Sequence, residues 1–231
     1  NAFDTGFVYG GGHHEKVLGD WIANRGVAKD VITIVKGAHT PYCLPRAIEA
    51  QLNISLDRLG LEHAPVYIMH RDNPAVPVGE FVDALNRLHK AGRIGAFGGS
   101  NWSNAYAAAN GLKQLTILNN NLSLAVMERP VWDGCITSNN AETLGFLRKS
   151  NTTHVSWSSQ ARGYFLPEAL RSRLPADTSP ETCFGSTANA ERRNRAEQLA
   201  KQRGVSPHNI ATAWVLAQSF PSYALIGPRT V

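Results

Sequence analysis

The sequence is poor in cysteine and has no long apolar run, and both shortages narrow the classes of protein to which it can belong. Its three cysteines, Cys43, Cys135 and Cys183, are odd in number and form no CxxC pair. This pattern argues against a disulfide framework or a zinc ribbon and favours a reducing cytoplasm, where we expect the protein to act. No apolar stretch approaches the roughly 20 residues that a membrane-spanning helix needs, so we expect no membrane association.

Charged residues are also modest in number, at 18% of the 231 residues. No basic run is interleaved with aromatic residues, so we expect no nucleic-acid partner. The formal net charge of +5 admits two interpretations, a mildly basic solvated surface or a site for an anionic ligand such as a phosphorylated cofactor. His13 and His14 are adjacent and point to opposite sides, so we predict no metal site.

What the sequence does contain is an alternation of short apolar runs with amphipathic helical stretches. The runs are continuous and β-branched, which is typical of parallel strands buried on both faces. Seven strands are predicted, at residues 2–4, 31–35, 66–69, 94–97, 115–118, 154–157 and 224–226. Helices are predicted at residues 15–25, 45–59, 78–91, 190–203 and 207–218, four of them ending at a glycine.

This repeat favours a closed barrel or a doubly wound open sheet. Because seven strands are one short of eight, we predict a single α/β domain over residues 1–231, a (β/α)8 TIM barrel that lacks its first strand and its C-terminal segment. A truncated gene product and a sequence numbered continuously over missing segments both explain the shortfall. We favour the second, since a barrel without one strand exposes two unpaired edges. Residues 103–110 are too few for a barrel helix with its loop, and residues 165–187 are predicted to form a long loop, either a lid or disordered.

In a (β/α)8 barrel the chemistry lies at the carboxyl ends of the strands. The residues at the predicted strand ends, including Tyr9 in the loop after the first, are Asp4, Tyr9, Lys36, His70, Ser100, Asn101, Asn119, Trp157, Ser158 and Arg229. Taken singly, a lysine at a strand end is usually a solvated loop residue. A histidine at a strand end is more often a buried residue with satisfied hydrogen bonds than a catalyst. Together, an ammonium beside a phenol favours the phenolate, a carboxylate holds the ammonium and an imidazole orients a carbonyl. The set is suited to protonating an alkoxide as hydride reaches a carbonyl. A Schiff-base or phosphate-handling barrel enzyme with Lys36 as nucleophile stays an alternative.

The segments "FDTGFVYGGG", "ITIVKG", "VYIMHRD", "GGSNWS", "SSQARGYF" and "LIGPRT" follow one another in the order found in aldo-keto reductases, and the chain resembles that family over nearly its whole length. The resemblance implies a barrel that interconverts a carbonyl and an alcohol with a nicotinamide cofactor, NADPH or NADH. It implies that Tyr9 is the general acid, that Asp4 and Lys36 tune it, and that His70 orients the substrate. Some relatives of this fold instead sense nicotinamide redox state as channel subunits, and a non-catalytic binding module is the second hypothesis.

The resemblance also implies which residues bind the cofactor. They are Ser100, Asn101, Asn119, Trp157, Ser158, Gln160, Arg162 and Arg229. Asn119 replaces the usual glutamine and Trp157 a more common tyrosine. We expect Val8 and Arg71 to contact a small carbonyl substrate, hydroxylated or sugar-like. The oligomeric state is left open.

Overall fold

The computed structural model describes residues 1–102, 116–174 and 180–228. Their contacts divide the chain into two compact units, Asn1–Leu118 and Asn119–Val231. Within the described residues seven strands alternate with helices, so the predicted α/β alternation is confirmed. The single barrel domain over residues 1–231 stays a prediction.

The first unit is built on parallel strands that pair in chain order. They are β1 (Ala2–Asp4), β2 (Ile32–Gly37), β3 (Ala64–Met69) and β4 (Ile94–Ser100). Asp4 lies opposite Ile34, and Gly37 lies opposite Met69. Because the strands are parallel, the residues that follow β1, β2 and β3 emerge at the same edge of the sheet.

Three helices of the first unit follow the strands: α1 (His13–Arg25), α2 (Pro45–Leu59) and α3 (Val78–Lys90). The bounds of α2 are those predicted, because proline starts the helix and Gly60, at φ +64°, ends it in a left-handed cap. Its buried stripe comprises Ile48, Leu52, Leu56 and Leu59. Each of these side chains contributes about 2 kcal/mol through its removal from water.

The strand β5 (Ile117–Asn119) lies where the two units meet along the chain. The second unit then contains β6 (Thr153–Ser156) and β7 (Ser222–Ala224), which pair in parallel. Its described helices are α4 (Ala141–Lys149), α5 (Glu168–Arg171), α6 (Pro180–Phe184), α7 (Thr187–Arg203) and α8 (Pro207–Leu216). Its core is an aromatic cluster that includes Tyr164, Phe165 and Phe184.

The second unit departs from the sequence prediction in three places. The predicted loop at residues 165–187 contains two short helices, α5 and α6, so the prediction of a wholly irregular segment was wrong. Helix α7 begins at Thr187 rather than residue 190, because the Ser186 side chain accepts a hydrogen bond from the backbone of Asn189. Helix α4 was not predicted, and the Asn140 side chain caps it by accepting from the backbone of Thr143.

Residues 103–110, which we predicted to be too few for a barrel helix with its loop, lie outside the described residues. In the part of the chain that the structure describes, no helix is both long and apolar enough to cross a membrane.

Candidate active site

The first pair of the site joins the ends of two neighbouring strands. Asp4 ends β1, and the Lys36 ammonium of β2 lies 2.6 Å from its Oδ2 atom. Lys36 is only 2% exposed. Burial lowers the pKa of Lys36, but the Asp4 carboxylate and the interaction with Tyr9 outweigh it and the pKa is raised. Lys36 is therefore held as a cation, which counts against its use as a nucleophile.

The loop after β1 returns Tyr9 to this pair. Its backbone stays attached to β2, with Thr5 donating to Ile34 (2.9 Å) and Phe7 donating to Lys36 (2.8 Å). Tyr9 then starts a short 3-10 turn whose glycines have positive φ. The Lys36 Nζ atom lies 5.1 Å from the centre of the Tyr9 ring. The phenol thus faces the ammonium, as a lysine that stabilises a phenolate requires.

His70 completes the cluster from the end of β3. Its Nε2 atom lies 3.4 Å from the Tyr9 hydroxyl, and the two rings meet edge to face at 5.2 Å. The backbone of His70 donates to Gly37 at 2.7 Å, which fixes its place beside β2. Burial, followed by the positive charges of Lys36 and its other neighbours, lowers the pKa of His70 to about 2. The imidazole is therefore neutral at physiological pH, and its Nδ1 atom has no partner among the described residues.

Gly6 allows Tyr9 and His70 to come this close. A Cβ atom at Gly6 would lie 3.2 Å from Cε1 of His70 and 3.4 Å from two Tyr9 ring carbons. A side chain at this position would crowd the His70 ring and touch the Tyr9 ring. The structure therefore brings the four predicted catalytic residues together, with Gly6 packed beside two of them.

Three further residues near this cluster were missed by sequence reasoning. The ring of His39 meets that of His70 edge to face at 4.8 Å. Its signal was its place three residues after Lys36, at the same strand end. Arg58 and Glu15 form a 2.8 Å ion pair behind the Tyr9 loop, and Glu15 is fully buried. Their signal was a charge on the buried side of a predicted helix.

The other predicted residues of the first unit lie at strand ends or on the loops. Ser100 and Asn101 end β4 in buried positions, and the Asn101 amide donates to the Ser100 hydroxyl at 3.1 Å. Asn101 has φ +60°, a conformation that asparagine tolerates better than most residues. Val8 is 40% exposed beside Tyr9, and Arg71 is half-buried beside His70. The positive charge of Arg71 contributes to the lowering of the His70 pKa.

Two predicted cofactor residues of the second unit leave a polar atom without a partner. Asn119 is buried, and its Nδ2 atom donates to the Val155 carbonyl at 2.6 Å. Its Oδ1 atom has no partner among the described residues. Trp157 packs against the aromatic core cluster, and its Nε1 atom is likewise buried without a partner in the described part of the chain.

The loop after Trp157 directs two of the predicted side chains to neighbours within the unit. The Gln160 amide donates to the Thr212 hydroxyl at 2.9 Å, and Arg162 stacks on Trp132 at 5.2 Å. Ser158 and Arg162 have φ of +48° and +54°, so the loop is tightly curled. Arg229 lies outside the described residues.

The model of the Aldo/keto reductase family matches residues 1–231. The uncharacterized oxidoreductase YrpG of Bacillus subtilis is 25% identical over 99% of this chain and 74% of its own length. A putative voltage-gated potassium channel subunit beta of Schizosaccharomyces pombe is 28% identical over 98% of this chain and 71% of its own.

Solved structures show the same likeness. The glycerol dehydrogenase of Gluconobacter oxydans superposes with a TM-score of 0.75 at 25% identity, over 99% of this chain and 72% of its own. An aldo-keto reductase of Klebsiella pneumoniae, solved with NADPH, gives a TM-score of 0.74 at 18% identity over 100% of this chain and 70% of its own. The predicted (β/α)8 fold class is thereby confirmed.

Proposed function

The chain belongs to the aldo/keto reductase family, and we propose that it transfers hydride between NAD(P)H and an aldehyde or ketone, with Tyr9 as the general acid in reduction and the base in oxidation. The observation that carries this proposal is the cluster of Asp4, Tyr9, Lys36 and His70 in the first unit. A neutral imidazole and a buried ammonium both face one phenol there.

In the proposed reduction, the bound cofactor supplies the hydride. Tyr9 donates its hydroxyl proton to the oxygen of the substrate carbonyl as that oxygen gains negative charge. The Lys36 ammonium stabilises the phenolate that remains, and Asp4 holds Lys36 by its 2.6 Å contact. His70, neutral and next to the Tyr9 hydroxyl, donates a hydrogen bond that orients the carbonyl. In oxidation the proton moves in the opposite direction.

Each unit contains residues that we propose to hold the cofactor. The unpartnered Oδ1 atom of buried Asn119 is an acceptor for the carboxamide amino group. The Ser100 hydroxyl and the Asn101 amide provide further polar groups, and the indole of Trp157 provides a stacking surface. Ser158, Gln160 and Arg162 are proposed for the pyrophosphate, and Arg229 for the adenosine end. Solved relatives that carry NADP or NADPH support NADP(H) as the cofactor.

For the substrate we propose a small hydroxylated or sugar-like carbonyl compound, contacted by Val8 and Arg71. The glycerol dehydrogenase among the structural neighbours acts on a polyol, which supports this class. A second candidate function is a non-catalytic module that binds the nicotinamide cofactor. The relative named as a potassium channel subunit favours it, while the complete cluster of four residues favours the enzyme.

The test is turnover of NADPH, followed by its absorbance, with a panel of aldehydes. We expect Tyr9→Phe to lower kcat by at least about 100-fold, because the acid is lost, and to bind NADPH as tightly as the wild type. Wild-type turnover by this variant would refute Tyr9 as the acid. Tight NADPH binding with no turnover of any carbonyl by the wild type would favour the binding module.

A further inference from the structure

Arg58, near the end of α2, contacts the segment between β1 and α1 that carries Tyr9. Its Nη1 atom donates to the backbone carbonyl of Phe7 at 3.0 Å. Its guanidinium also lies 4.7 Å from the centre of the Phe7 ring. Both the backbone and the side chain of Phe7, two residues before Tyr9, are thus held by one side chain.

Arg58 is itself held in place by α1. It donates to Oε2 of Glu15 at 2.8 Å, and Glu15 is fully buried. A buried carboxylate needs a counter-charge, and removing one partner of such a pair is costly. A Cβ atom at Gly12 would lie 2.3 Å from Cζ of Arg58, so the guanidinium fills space that only glycine leaves free. The guanidinium therefore lies between Glu15 and the loop and contacts both.

This position links Arg58 to the reacting residues through Phe7. The amide of Phe7 donates to the carbonyl of Lys36 at 2.8 Å, while its own carbonyl accepts from Arg58. Tyr9 donates its amide to Gly6 at 2.9 Å in the same loop. The contacts with Phe7 show that Arg58 does more than join α1 to α2, since it also holds the loop that carries Tyr9.

We propose that Arg58 is a positioning residue, which holds the Tyr9 loop so that the phenol faces Lys36 and His70. The inference rests on the proposed function, in which Tyr9 exchanges a proton with the substrate. Displacement of a reacting group by about 1 Å costs on the order of 100-fold in rate, so the loss of this contact is measurable.

The experiment compares Arg58→Met, Arg58→Lys and the control Arg87→Met, which changes an exposed arginine of α3. Below the melting temperature of every variant, we expect Arg58→Met to lower kcat by about 30- to 100-fold, with KM and the NADPH Kd within about 3-fold. Arg58→Lys keeps the charge opposite Glu15 but loses the planar fork, so it should recover part of kcat. Arg87→Met should match the wild type.

Amide hydrogen exchange gives a readout that needs no turnover. In Arg58→Met, peptides covering residues 5–12 should exchange at least about 10-fold faster, while those covering β4 stay unchanged. Wild-type exchange there, or a lower melting temperature with wild-type kcat, overturns the positioning role. If the wild type reduces no carbonyl, the proposed function fails, and the exchange of residues 5–12 still decides the positioning.

Should Arg58→Met fail to fold, Phe7→Leu carries the same test. It keeps the Arg58–Glu15 pair and the Phe7 carbonyl and removes only the ring under the guanidinium. A fall in kcat of at least about 5-fold at an unchanged melting temperature supports the proposal, because a small shift of a reacting group is costly. Wild-type kcat together with wild-type exchange at residues 5–12 overturns it.

Discussion

Replacement of Lys36 by methionine tests the electrostatic part of the proposed mechanism. The change removes the ammonium and keeps a side chain of similar length. In the wild type the Nζ atom lies 5.1 Å from the centre of the Tyr9 ring. At an effective dielectric constant of 20, a unit charge at that separation stabilises a phenolate by about 3 kcal/mol. Because 1.36 kcal/mol is tenfold in rate, kcat should fall by about 200-fold.

Methionine at position 36 also leaves Asp4 without its partner, and the design must separate the two effects. The double variant Asp4→Asn/Lys36→Met removes both charges, and its kcat should be as low as that of Lys36→Met. Lys36→Arg keeps a cation and should retain more activity than Lys36→Met. Lys16→Met, at an exposed lysine of α1, is the matched control and should leave kcat unchanged.

The assay is steady-state reduction of an aldehyde with NADPH, with NADPH affinity measured separately by fluorescence. Since the charge acts on the phenolate that forms during proton transfer, kcat should fall while NADPH affinity stays within about 3-fold. A kcat for Lys36→Met within about 3-fold of the wild type would show that the ammonium does not stabilise the phenolate.

Two further predictions concern the packing and the titration of the same cluster. Gly6→Ala should lower kcat by about 10-fold, because its Cβ atom would press on the His70 ring, which lies against Tyr9, and a wild-type kcat would contradict this interpretation of the packing. For the pH dependence, the pKa of His70 is lowered to about 2 and that of buried His154 to about 3, so the unfolded state binds protons that the folded state does not. The free energy of unfolding should therefore fall as pH drops below about 6.5, by up to about 1.4 kcal/mol per unit for each histidine. Urea unfolding checks this, and His70→Gln should show a shallower fall than the wild type; an equal slope would exclude His70 as a source.

Local chemistry explains why much of the fold could be predicted. Helix α2 was delimited by a proline, a stripe of apolar residues at helical spacing and a glycine, all of which act within a few residues. Helix α4 could not be predicted because its nine residues include a glycine and show only a weak helical pattern. The side chain of Asn140, which accepts a hydrogen bond from the backbone of Thr143, is a single capping signal. In the irregular region after residue 165, α5 and α6 are too short to show helical periodicity.

The α/β class and the places of Asp4, Tyr9, Lys36 and His70 at strand ends could be predicted from the sequence, because parallel strands bring such residues to one edge. Their catalytic roles came from the family resemblance and stay a prediction. How the four side chains face one another, and which residues hold them, depends on contacts between distant parts of the chain. Arg58 reaches Glu15 across 43 residues and Phe7 across 51. No local pattern encodes such contacts, because they join residues far apart in the chain that meet only when α1 packs against α2.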